Sequence, residues 1–172
     1  MNPTLRIQDG PDVLHITFAD VEQYHGQGSI AGAALAFMAM HAAFSSLYTD
    51  CTPSREEITI ATGHPGPGVR DAFEFVTRAV SRNVYRVEPE RTEARWNPYS
   101  TVSFTFSVSD TGQRRADISL KQDVLPHRFF ELLDLERRGV ANAENKQELR
   151  QLKRALADRI LEAPWTALFF VS

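Results

Sequence analysis

Two histidines, each set in a glycine-rich corner that leads into an apolar run, are the residues of this chain best placed to do chemistry. The first corner reads Tyr24-His25-Gly26-Gln27-Gly28-Ser29-Ile30-Ala31-Gly32, the second Thr62-Gly63-His64-Pro65-Gly66-Pro67-Gly68. Two imidazoles can ligate a transition metal, most often zinc, with water or a carboxylate filling the remaining positions. They can equally serve as general acid and base with no metal present. Each corner opens a helix, where unpaired N–H groups and the helix dipole favour an anion or a polarised ligand. Ser29 suits an N-cap, its hydroxyl accepting from a free backbone N–H. In the second corner the glycines admit a close ligand, the prolines stiffen the turn, and Arg70 follows as a counter-charge. It lacks the Gly-Lys-Ser/Thr of a phosphate-binding loop and the spacing of a dinucleotide fingerprint.

Three readings follow. In the first, the two corners face one another, His25 and His64 bind a divalent metal, and Gln27, Ser29, Gly66, Gly68 and Arg70 hold a small substrate or water. In the second, the pocket is metal-free and binds a small organic anion at the two helix starts, as in a binding or sensor protein. In the third, the long helix and apolar strands only build a dimer and the histidines are incidental. Of the other reactive side chains, His41 falls inside an apolar helix and reads as a core histidine. Cys51 reads as an unreactive thiol after a turn, and His15 and His127 read as exposed. Trp96, Asn97 and Tyr99 sit on a long polar connection and could form a lid.

The element that must position these corners is the run from Tyr24 to Tyr48. No Asp, Glu, Lys or Arg lies between Glu22 and Asp50, and apolar side chains fall on every side of the helical wheel, so this helix (about 29–48) has to be buried all round. It is too rich in Ala and too often broken by Gly, Ser and His for a membrane span, which needs about 20 predominantly apolar residues. Gly28, Gly32, Ala36 and Met40 form a row whose small N-terminal end invites close approach by another backbone.

Elsewhere the pattern is mixed. Residues 1–11 are polar and expected to be flexible. Val13 to Phe18 alternates as a half-buried strand, and Asp20 caps a short turn leading into the first corner. Ile58 to Ala61 is a short strand, and Val69, Phe73, Val76 and Val80 mark a helix over about 69–82. Asn83 to Glu88 is a further strand. Thr101 to Val108 and Ala116 to Leu120 alternate around the Asp110-Thr111-Gly112 turn as an antiparallel hairpin. Helices are expected at 126–138, opened by Pro126 and closed by Gly139, and at 144–163, with Leu149, Leu152, Leu156 and Ile160 as the apolar stripe. Leu168 to Val171 is a last strand. The fold class is α+β: a single domain over 1–172, with a mostly antiparallel sheet around a buried central helix.

Composition narrows the partners. At 172 residues and 42% apolar content the chain can bury one core. A net charge of −3 and a pI near 5.9 argue against nucleic acid as a partner. One cysteine excludes an internal disulfide and a Cys-based zinc finger. No basic segment followed by an apolar run opens the chain, so a cytoplasmic location is expected.

The two corners also carry a resemblance. Tyr24 to Gly32 resembles the His-Gly-His-x-Cys-Pro-Gly signature of the formylmethanofuran dehydrogenase E-subunit family, and Thr62 to Gly68 is similar to that family's Thr-Gly-Cys-x-x-Gly-x-Gly turn. Ile160 to Val171 is similar to the close of the family's core domain. The resemblance implies an α+β core, frequent homodimerisation and a metal or small-molecule site built from the two turns. The family's second His is Gln27 here, its first Cys is Ser29 and the Cys of its second turn is His64. Of the matched positions, His25 and His64 are therefore the zinc-binding ones. No zinc-finger extension and no bound pterin are expected.

Overall fold

The computed structural model describes residues 2–91 and 97–172. Among these residues, seven strands and six helices follow one another as β1 (Thr4–Asp9), β2 (Asp12–Thr17), α1 (Phe18–His25), α2 (Ile30–Leu47), β3 (Thr59–Thr62), α3 (Pro67–Thr77), β4 (Tyr85–Val87), β5 (Thr105–Ser109), β6 (Arg115–Leu120), α4 (His127–Arg137), α5 (Ala143–Glu162), α6 (Trp165–Leu168) and β7 (Phe169–Val171). The fold is α+β, as the mixed pattern of strands and helices predicts.

Helix α2 is the core. Ala, the best helix former, supplies much of it, and residues 33–40 are all essentially inaccessible to solvent. Fully burying side chains such as Leu35, Phe37, Met38 and Met40 stabilises the fold by roughly 1.5–3 kcal/mol each. Around it pack α1, α3, α5, α6 and strands of both sheets. Long and apolar enough to cross a membrane by composition, α2 is mostly buried inside the fold, consistent with a soluble protein. Its C-terminal end is pinned where the Tyr48 hydroxyl donates to Asp110 Oδ2 at 2.8 Å across to the β5–β6 turn.

The main sheet runs β4-β3-β5-β6-β7. Strands β3 and β4 are parallel; β5, β6 and β7 continue antiparallel. Ile60, Phe106, Val108, Ile118 and Leu120 lie on one buried face of this sheet. The opposite face is polar yet not open: Ser103, Thr105 and Ser107 are buried, because Arg91 lies over them, its Nη2 donating to Ser107 Oγ at 2.9 Å and its carbonyl accepting from Ser103 Oγ at 2.9 Å. The strand expected from Thr101 begins only at Thr105, with the Phe104 carbonyl still accepting from the Leu120 N–H at 3.1 Å.

Two further expectations change. Within the stretch expected to be flexible, Thr4–Asp9 forms a strand: β1 pairs with β2 from Thr4↔Thr17 to Asp9↔Asp12, and Leu5 and Ile7 are buried. Two apolar residues are too few to declare a strand by themselves, but the partner hairpin and α2 give them a surface to cover. The helix expected over 69–82 begins earlier, on Gly66-Pro67, and stops at Thr77. Arg78 takes a left-handed conformation (φ 55°), and the Glu74 carboxylate turns back to accept from the N–H groups of Val80 and Ser81. Val80 therefore lies beyond the helix. The stripe of α5 packs onto α2, and Asn142 caps this helix reciprocally with Asn145.

Candidate functional site

The two glycine corners do meet. The joint is Gly68, in the first turn of α3: a Cβ there would fall 2.2 Å from the Ser29 carbonyl oxygen and 3.0 Å from the Ala33 nitrogen. The close approach expected of the row starting at Gly28 thus comes from the partner helix. Gly28 itself has open space, and Gly32 sits at ordinary distance from Val69. The contact is reinforced by His25, whose Nδ1 lies 2.8 Å from Asp71 Oδ2 on α3. His25 Nε2 accepts the Ser29 N–H at 3.1 Å, so the proton is on Nδ1 and is given to Asp71. Both ring nitrogens are therefore engaged in closing the α1–α2 corner and tying it to α3.

The neighbouring candidates are committed in the same way. Gln27 donates to Glu22 Oε1 at 2.5 Å, an oxygen that also receives Arg154 from α5. Lys153 of α5 donates to the Gly28 carbonyl at 2.9 Å. Ser29 holds the cap position, but its side chain makes no capping bond; the N–H of Ser29 is used by His25 instead. Arg70, about half exposed, meets Asp71 at 3.2 Å. Nearby, the Tyr85 hydroxyl is buried with no hydrogen-bond partner among the described residues, and burial together with the Asp71 charge pushes its ionisation well above the usual phenol range.

His64 stands in different surroundings. Its Nδ1 accepts the Gly66 N–H at 2.9 Å, and its ring stacks on Phe104 with centroids 4.3 Å apart and planes 24° from parallel. A Cβ at Gly66 would come within 2.5 Å of the imidazole Cε1, so a larger residue there would displace the His64 ring. Burial pushes the ring down to a pKa of about 4, so near neutral pH it is uncharged, with the proton on Nε2. The imidazole helps line a recess of about 150 Å³ together with Tyr99, Val102, Phe104, Phe130 and Leu133. Asp134 and Arg137 also reach it, as an ion pair at 2.5 Å.

Among the described residues, His25 and His64 share no partner, and no group of three or more His, Cys, Asp and Glu side chains is gathered closely enough to hold a metal ion. A divalent ion does not fit these residues as placed: His25 has no nitrogen free, His64 offers one, and Gln27 and Ser29 are poor zinc ligands. Arg70, the counter-charge of the organic-anion reading, meets Asp71 through one nitrogen and is otherwise open to solvent.

The remaining candidates fall on several surfaces. His41 is half-buried in α2, its Nδ1 inaccessible and without a partner among the described residues, and burial lowers its proton affinity. Cys51 is exposed, 3.9 Å from Arg114 Nη2. His127 is exposed and meets the Tyr99 hydroxyl at 3.1 Å. Asn97 and Tyr99 do reach the His64 recess, whereas Trp96 lies outside the described residues. Sequence reasoning did not find the Asp71 partnership with His25, the Phe104 stack or the α4 wall of the recess. The one available signal was Asp71 immediately after Arg70 at a helix start. No protein-family model matches the chain, and no curated protein is significantly similar to it.

Proposed function

We propose that this chain is a metal-free binding or sensor protein that takes a small, flat, uncharged molecule into the recess beside His64. The observation that supports this reading is the state of the His64 imidazole: neutral, fixed by Gly66 and Phe104, with Nε2–H as its one uncommitted polar group among the described residues. A donor set beside Val102, Phe104, Phe130 and Leu133, with Asn97 and Ser100 on the same recess, suits a ligand with an acceptor on a planar body, such as an amide, a pyridone or an N-heterocycle. Among the described residues no free cation lines the recess, since Arg137 is paired with Asp134, so an uncharged acceptor is favoured over a carboxylate. At about 150 Å³ the recess is below the ~300–1,000 Å³ of drug-sized sites, and a single ring is the size it admits.

The test is a fragment screen of single-ring amides and heterocycles, read by amide chemical shifts, on the parent protein and on His64→Phe. The aromatic replacement keeps the stack on Phe104 and removes the donor. Saturable shifts at Val102, Phe104 and Leu133 that disappear in His64→Phe are expected. An absence of hits, or equal response from the variant, overturns the reading. A zinc titration in the same experiment decides the metal: stoichiometric binding that moves the resonances of both His25 and His64 would restore the two-histidine centre in its place.

A further inference from the structure

A second concavity lies on another part of the molecule, between the β1–β2 hairpin, α1 and the C-terminal end of α3. At about 700 Å³ it has the size of a small-molecule site. One wall is aromatic: Tyr24, 53% exposed, lies against Phe75 with ring centroids 5.4 Å apart, and Leu14 also lines the groove. An exposed tyrosine supported by a second ring offers a flat surface on which a further aromatic can stack.

The charged groups around this wall are not equally available. Asp20 accepts from both the Thr17 N–H and the Thr17 hydroxyl at 2.8 Å. Glu74 accepts from the N–H groups of Val80 and Ser81 and from the Ser81 hydroxyl. Asp9 receives Arg55 at 2.8 Å. Arg55 is itself buried and donates to the carbonyls of Phe75 and Val76, while Arg82 takes that of Thr77. The negative end of α3 is thereby covered by two guanidinium groups. Arg78 is different: among the described residues its side chain makes no hydrogen bond or ion pair, and it lines the groove beside Arg55. Burial, and to a lesser degree the like charge of Arg78, push Arg55 below the usual guanidinium range, with Asp9 opposing. An incoming carboxylate would relieve that like-charge pressure.

We infer that this groove binds a small aromatic carboxylate, its ring on the Tyr24–Phe75 wall and its carboxylate on Arg78. The site is independent of the His64 recess and needs no residue from it.

Benzoate is the probe, titrated into isotope-labelled protein and followed by amide chemical shifts, with benzamide and benzylamine as its neutral and cationic counterparts. Saturable shifts at Leu14, Tyr24, Phe75 and Arg78 are expected with benzoate, and binding of benzamide about threefold to fivefold weaker, the range of an exposed charge pair. Arg78→Asn, chosen because Asn tolerates the left-handed backbone at this position, should erase the preference for benzoate over benzamide. Tyr24→Ala should weaken both about fivefold, the middle of the range for one aromatic pair. His64→Phe should leave all of these values unchanged, which separates failure here from failure of the recess reading. No saturable shift at those four residues, a preference for benzylamine, or an undiminished benzoate preference in Arg78→Asn overturns the inference.

Discussion

Replacing Gly68 by Ala tests the joint on which the whole arrangement of corners depends. The added methyl carbon would sit 2.2 Å from the Ser29 carbonyl oxygen, 2.9 Å from Ser29 Cβ and 3.0 Å from the Ala33 nitrogen. Two of these are backbone atoms of the corner and first turn of α2, and no side-chain rotation can move them away. The starts of α2 and α3 must therefore separate by about 1 Å, an overpacking strain at the upper end of the usual ~1–3 kcal/mol. Ala is a better helix former than Gly by about 1 kcal/mol, and position 68 is helical, so the net loss should be about 2 kcal/mol. For a chain of this length that is a fall in Tm of about 4–8 °C. Differential scanning calorimetry against Gly28→Ala is the assay, because a Cβ at Gly28 meets nothing within 4 Å and should change stability by less than ~0.5 kcal/mol. If the two variants melt together, the corners are not in contact as described and the His25–Asp71 bridge loses its setting.

Two further perturbations probe other joints. The His64 pKa of about 4 in the folded protein lies below its ordinary value of 6.5, so between those pH values the unfolded chain holds a proton that the folded chain does not. The stability this neutral ring contributes is whole above pH 6.5 and is lost as pH falls toward 4; at 1.36 kcal/mol per pKa unit, about 2 kcal/mol of it disappears between pH 7 and pH 5. Urea midpoints of parent and His64→Phe at both pH values check this, and equal pH slopes would refute it. Arg55→Met should leave Asp9 without its partner and the Phe75 and Val76 carbonyls without their donor, costing about 3 kcal/mol; a loss below ~1 kcal/mol in urea denaturation would show that water replaces the guanidinium freely.

What the sequence determined by itself is the part governed by short-range pattern. The uncharged run from Ile30 to Leu47 could only be buried, whatever covered it, and the alternation of Ala116, Ile118 and Leu120 could only place one face inward. The turn at Asp110, the stop at Gly139 and the stripe of α5 are likewise local signals, and so the α+β class was legible. The covering of Ser103, Thr105 and Ser107 was not, because alternation marks a polar face as solvent-facing and cannot foresee that Arg91 will lie across it. The candidate site divides along the same line. Composition and glycine spacing marked both corners, and Gly68 does bring them into contact. Which nitrogen of each imidazole is free depends on partners remote in the chain or set by turn geometry: Asp71 for His25, Gly66 and Phe104 for His64. Residue type states what a side chain can bind, but only the packed chain decides what reaches it first.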